Sequence, residues 1–319
     1  MSRRGRLAGA VLLVTSVAGC GTLSGADGRD HYPAVELASV PFFAQQQFQC
    51  GPAALASLLV AAGDITTPQA LAPQSYLPER HGSLQLELVA TARRHGRVPY
   101  ELPGTIDALL AELVAGHPVL VLQNFGSRDS PRWHYAVVIG YEPGHARMLL
   151  RSGAQARERM PLARFAATWE RAGRWALVVL EPPALPADDD PTRYLEAVAG
   201  VESIGQRAVA TRAYRAALAR WPGAARAALG LGNVAAADAR WADATQAYRD
   251  ALALSPEDAA ARNNLAIALS RQGCRAAALQ EIERARADAG GGPLAAEIAA
   301  SRAEIEAAAP SEAGSCPVR

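Results

Sequence analysis

Cys50 stands in Gln49-Cys50-Gly51-Pro52-Ala53-Ala54-Leu55, a setting that favours a reactive thiol over a structural one. Pro52 is tolerated in a first helical turn, and Ala53, Ala54, Leu55, Leu58 and Leu59 continue as an apolar helix face, so Cys50 falls at a helix N-terminus. Unpaired N–H groups and the helix dipole stabilise a thiolate there, which predicts a lowered pKa. Gly51 lets the backbone turn closely beneath the sulfur. A nucleophilic thiol also needs a base. Of the six histidines, His134 opens the run Trp133-His134-Tyr135-Ala136-Val137-Val138-Ile139-Gly140-Tyr141. A strand end is a rigid mount from which an imidazole can face a cleft. A thiol and an imidazole so placed point to acyl transfer through a thioester.

The elements that must position this pair lie between about Ala38 and Pro183. Periodicity predicts a short strand at Val40–Phe43, a helix at Cys50–Ala62 and further helices at Ser83–His95 and Ile106–Ala115. β-type runs follow at Pro118–Phe125, Trp133–Tyr141, Ala146–Arg151 and Arg174–Leu180. Glu142-Pro143-Gly144 punctuates two of these runs as a hairpin would, which implies an antiparallel sheet with helices segregated against it. The segment 183–191, rich in Pro and Asp, reads as a linker. Beyond it, Ala210, Tyr214, Ala217 and Pro222 recur 34 residues later as Ala244, Tyr248, Ala251 and Pro256, and a third copy carries Ala278, Ile282, Ala285 and Gly290.

That period resembles the tetratricopeptide repeat, with small residues where paired helices approach, an aromatic on the second helix and a terminating Pro. Leu231-Gly232 and Leu265-Ala266 occupy the family's Leu-Gly positions, while Tyr194, Ala228 and Arg262 occupy its first aromatic position. The resemblance implies an all-α array over 192–290, a C-terminal helix and tail over 291–319, and a protein partner on the concave face. A rigid spacer or lid is the other reading of the array.

The stretches Pro41-Phe42-Phe43-Ala44-Gln45, Gln49-Cys50-Gly51-Pro52-Ala53 and His134-Tyr135-Ala136-Val137-Val138-Ile139-Gly140-Tyr141 resemble the bacteriocin-processing, double-glycine-leader peptidase family of papain-like cysteine peptidases. The resemblance covers about 38–182 and implies an α+β fold, Cys50 as nucleophile, His134 as base and a Gln before the Cys as oxyanion donor. Gln45 matches best by position, with Gln46, Gln47 and Gln49 nearby. The family places an Asp or Asn after the His to orient its ring; here Met148-Leu149-Leu150-Arg151-Ser152 puts Ser152 there, and Asp129 or Asn124 could replace it in space. The family's transporter-fused members bind ATP. This sequence has no Gly-rich phosphate loop, no His-Glu-x-x-His and no Cys-x-x-Cys, so no nucleotide, metal or other cofactor is expected.

Arg3, Arg4 and Arg6 precede an apolar run from Leu7 to Val17, and Val17-Ala18-Gly19-Cys20 resembles the lipobox of bacterial lipoproteins. The expectation is a signal peptide over 1–19, lipidation of Cys20, a tether over 20–37, and a periplasm-facing protein anchored to the cell envelope. Gly21 in place of Asp favours the outer membrane. In that oxidising compartment Cys274 and Cys316 can pair and leave Cys50 free. The chain has 319 residues, half of them apolar, with a formal net charge of +1 and its basic residues spread along the sequence, which predicts about two domains and no nucleic-acid partner. The composite expectation is a membrane-anchored cysteine peptidase acting on a peptide or protein. The alternatives are a peptidase-fold interaction module with little activity, which Ser152 suggests, and a cell-wall amidase or endopeptidase using the same dyad.

Overall fold

A computed structural model describes residues 32–45, 49–308 and 316; the 1–19 segment, Cys20, Gln46 and Gln47 lie outside the described residues. Strand β1 (Val35–Glu36) precedes helix α1 (Cys50–Ala61), which is buried from Gly51 to Leu59. A helix so evenly apolar has to sit inside a core. Helix α2 (Pro68–Ser75) starts on a Thr67 hydroxyl that accepts from the Ala70 N–H, and helix α3 (Gln85–Arg94) follows. Strand β2 (Val98–Glu101), helix α4 (Ile106–Val114) and strands β3 (Val119–Asn124), β4 (Trp133–Glu142), β5 (Arg147–Ser152) and β6 (Gln155–Pro161) come next. Helix α5 (Leu162–Glu170) and strand β7 (Ala176–Leu180) close the sheet-bearing part.

The strands form one antiparallel sheet in the order β2-β7-β3-β4-β5-β6, with β1 added along β4. Strand alternation sorts the side chains. Leu120, Leu122, Tyr135, Val137, Ile139 and Leu149 face α1. Val121, Ala136, Val138, Met148, Leu150 and Met160 face α4 and α5.

Val40–Phe43 is not the strand its composition suggests. Pro41 has no N–H to give a ladder, and the carbonyls of Ala38 and Val40 accept from the Arg151 guanidinium at 3.0 and 2.8 Å instead. Five elements lay below the sequence signal, among them β1, a two-residue strand too short to show a period. Strand β2 carries Pro99 and lies at the sheet edge, where a missing donor is tolerated. The opposite edge is β6, whose charged residues defend an exposed edge and hide any apolar period. Helices α2 and α5 are short, and α2 carries an internal Pro73.

The remaining chain is helical: α6 (Pro191–Glu202), α7 (Arg207–Arg220), α8 (Ala225–Ala237), α9 (Trp241–Leu254), α10 (Ala259–Arg271), α11 (Arg275–Ala289) and α12 (Ala295–Ala307). α6, α8 and α10 start 34 residues apart, as do α7, α9 and α11, so the repeat is three helix pairs with α12 closing the stack. Tyr214 and Tyr248 lie over Gly230 and Gly232; a Cβ at either glycine would stand 2.3 Å from the ring. Cys274 forms a disulfide with Cys316.

The 183–191 segment is pinned to its surroundings. Asp188 accepts from the Tyr100 hydroxyl at 2.6 Å, and buried Glu112 accepts from the Ala187 N–H at 2.8 Å. Trp221 donates to Asp189 at 2.5 Å. Tyr194, Leu195, Val198 and Val201 of α6 join one apolar core with Val98 and Tyr100 of β2. The first helix pair is therefore part of the hydrophobic core under the sheet edge.

Candidate active site

Cys50 occupies the first position of α1, half-buried, and is the free cysteine among the described residues. Gly51 follows because Ser83, just ahead of α3, presses on it: a Cβ there would lie 2.4 Å from the Ser83 Oγ. Burial pushes the Cys50 thiol up from its ordinary pKa, against backbone hydrogen bonds from Tyr135, Gly51 and Cys50 itself that act the other way. The lowered pKa anticipated from the helix terminus is thus overturned: withdrawal of the sulfur from water outweighs the N–H groups around it.

His134 is the second residue of β4, opposite Gln123 of β3. Its Nε2 lies 3.0 Å from the Ser152 Oγ at the end of β5. The Phe125 ring packs against the imidazole at 5.6 Å between centroids. Burial lowers the His134 pKa, opposed by the negative charge of Glu158. Ser152 is itself buried. Neither alternative orienting residue is at the ring. The Asn124 amide closes the following loop, accepting from the Gly126 and Arg132 N–H groups and donating to the Ser127 carbonyl. Asp129 is exposed in that loop.

Gln45 is held at three points. Its Nε2 donates to the Tyr135 carbonyl at 3.0 Å, its Oε1 accepts from the Gly153 N–H at 3.1 Å, and its own N–H donates to the Gly153 carbonyl at 3.0 Å. One Nε2 hydrogen remains uncommitted by these bonds. Gln49 instead faces a separate groove beside Gln69 and Tyr76. Gln45, Cys50 and His134 line a single cavity of about 710 Å³, whose walls include Leu84, Leu122, Trp133 and Tyr135 and whose rim carries Arg80 and His81. Three residues here escaped the sequence reading: Gly153, which anchors Gln45; Ser83, which sets the approach to Gly51; and Glu158. Only Gly153, a turn glycine with φ +58° after Ser152, had a local signal. No group of three or more metal-ligating side chains occurs among the described residues.

A cysteine at the start of a buried helix and a strand-borne histidine line one cleft beside an antiparallel sheet, in an α+β arrangement. Residues 37–177 match the Peptidase_C39 like family, a match confined to the sheet-bearing part and including Gln45, Cys50, His134 and Ser152. Among solved structures, a Bacillus anthracis protein described as a C39-like peptidase is 18% identical, with a TM-score of 0.41 over 46% of this chain and 98% of that one. The TPR2B domain of yeast Sti1, solved in complex with pHsp70, is 20% identical, with a TM-score of 0.33 over 34% of this chain and 90% of that one. No curated protein matches.

Proposed function

We propose that the sheet-bearing part hydrolyses peptide bonds through a Cys50 thioester. The observation that carries this reading is the convergence of Gln45, Cys50 and His134, from three separate segments, on one cavity. Ser152 engages the His134 Nε2, which leaves Nδ1 as the ring nitrogen available to the thiol. In this reading Cys50 gives its proton to Nδ1 and its sulfur attacks the substrate carbonyl carbon. The Gln45 amide and the Cys50 backbone N–H donate to the oxyanion. The imidazolium then protonates the departing amine, and water, deprotonated by the same ring, hydrolyses the thioester.

The test is cleavage of a complex peptide library by the purified protein, read as new N-termini. Cleavages made by the wild type and absent with both Cys50→Ala and His134→Ala support the proposal, and identical patterns from all three overturn it. Purified peptidoglycan offered in parallel separates a peptidase from a cell-wall amidase or endopeptidase. One observation favours a second reading, a peptide-binding module of low activity. Burial pushes the thiol up and the imidazole down, both toward the neutral form, and the ring's partner is a serine.

The helical part supports recruitment of a protein partner or substrate by its stacked pairs, a reading that rests on the 34-residue period. Anchoring to the cell envelope rests on the sequence of the first twenty residues. Among the described residues no helix is long and apolar enough to cross a membrane. Metabolic labelling with a fatty acid, lost in Cys20→Ser, tests the anchor.

A further inference from the structure

A carboxylate behind the histidine orients the imidazole and stabilises the imidazolium, and Ser152 has none to offer. The sheet register shows where one can come from. Ser152 is buried and touches the His134 ring, and the β4–β5 register, in which Val137 pairs with Arg151, makes the two diagonal neighbours on one sheet face. In β6, Glu158 pairs with Leu150 and Gln155 pairs with Ser152, with a bulge between the two pairs; Leu150 and Ser152 share a face of β5, so Glu158 lies on the face that carries Ser152. His134, Ser152 and Glu158 therefore form a slanted row across three strands. The His134–Ser152 step is a regular diagonal of roughly 7–8 Å, while the step to Glu158 crosses the bulge.

The neighbours of Glu158 strengthen this assignment. Arg157 and Arg159 flank it in sequence, yet strand alternation turns both to the opposite face, where they pair with Glu36 and Glu142 at 2.7 and 3.3 Å. Glu158 is half-buried and has no hydrogen bond or ion pair among the described residues. Its charge is left directed at the histidine face, and it is the charged group whose field raises the His134 pKa. Other charged groups line the cavities beside the ring. Arg132 and Arg164 line a cavity on that face with Phe125, and Arg80, His81 and Cys50 line the cavity on the other side. Of the charged groups around the ring, Glu158 is the one whose field opposes the effect of burial on His134.

We propose that Glu158 is the carboxylate of this site, a positioning residue that favours the His134 imidazolium from across Ser152. This rests on the reading of Cys50 and His134 as a reacting pair. The sign follows from the opposing effects on the ring. Burial holds the His134 pKa below its ordinary value, so removing the Glu158 charge lowers it further. The imidazolium then loses its proton at lower pH, and less thiolate–imidazolium pair forms at neutral pH.

The first measurement is NMR titration of the His134 ring in Cys50→Ala, with and without Glu158→Gln. It needs no thiol chemistry, so its failure is distinct from failure of the peptidase reading. The second is the pH dependence of Cys50 alkylation by iodoacetamide in the otherwise native chain. A loss of half a pKa unit corresponds to an alkylation rate about threefold lower at pH 7. The expected results are a lower His134 midpoint with Glu158→Gln, a near-native midpoint with Glu158→Asp, and recovery when Ser152→Asp is added to Glu158→Gln. Thermal unfolding of each variant establishes that it is folded. A His134 midpoint that does not move in folded Glu158→Gln overturns the proposal, as does a midpoint lowered equally by Glu158→Gln and Glu158→Asp.

Discussion

At Cys50 and His134, burial drives both side chains toward neutrality, the thiol upward and the imidazole downward. An isolated thiol in this place is a poor nucleophile at neutral pH, and its reactivity has to come from proton transfer to the ring. Gln45 is the other residue whose chemistry is set by its neighbours. Pinned by Tyr135 and Gly153, its amide is presented rigidly to the cavity. Gln45→Ala is expected to lower kcat by about 100-fold, the usual loss for one oxyanion donor, with a smaller change in KM. Steady-state kinetics on a cleaved library peptide read this split. Gln45→Glu should be equally impaired, because a carboxylate repels the developing oxyanion.

Elements place these residues through packing that local sequence reveals unevenly. The helix opened by Cys50 and the strand opened by His134 were legible because each is long, apolar and bounded by turn residues. The edge strands β2 and β6 were not, since one carries a proline and the other is charged. That gap hid Glu158, whose relation to His134 exists only through the register of two neighbouring strands. Ser152 was legible through the family resemblance, which expects an Asp or Asn at that position after the His, and it does lie beside the ring. The withdrawal of Cys50 from water escaped the sequence, because it depends on what covers the helix terminus. In the helical part the 34-residue period was fully legible, and the structure adds its mechanical reason: Tyr248 needs a bare backbone at Gly232. Gly232→Ala should cost about 1–3 kcal/mol by overpacking and lower the thermal midpoint, whereas Tyr248→Leu in that background should recover part of the loss.

Across the whole molecule, the two halves do not behave as beads on a string. The segment that composition marks as a linker is tied down by Tyr100, Glu112 and Trp221, and α6 completes the core beneath β2. Leu195→Ala, in that shared core, should destabilise the sheet-bearing part as well as the array by about 2–5 kcal/mol. Calorimetry should show the loss in the transition that includes the sheet; a second, independent transition carrying the whole effect would mean the halves unfold separately. At the far end, the Cys274–Cys316 disulfide closes the last repeat against the tail and keeps both sulfurs out of thiol chemistry. Cys50 is thereby the thiol that a label can reach among the described residues. The most direct measurement is therefore the rate of Cys50 alkylation against pH in wild type and His134→Ala. Wild type should react at neutral pH at least tenfold faster than the variant, whose thiol should respond only in the alkaline range above the ordinary cysteine pKa of about 8.5. Superimposable profiles for the two proteins would contradict His134 as the base and, with it, the assignment of this cavity as a thiol peptidase site.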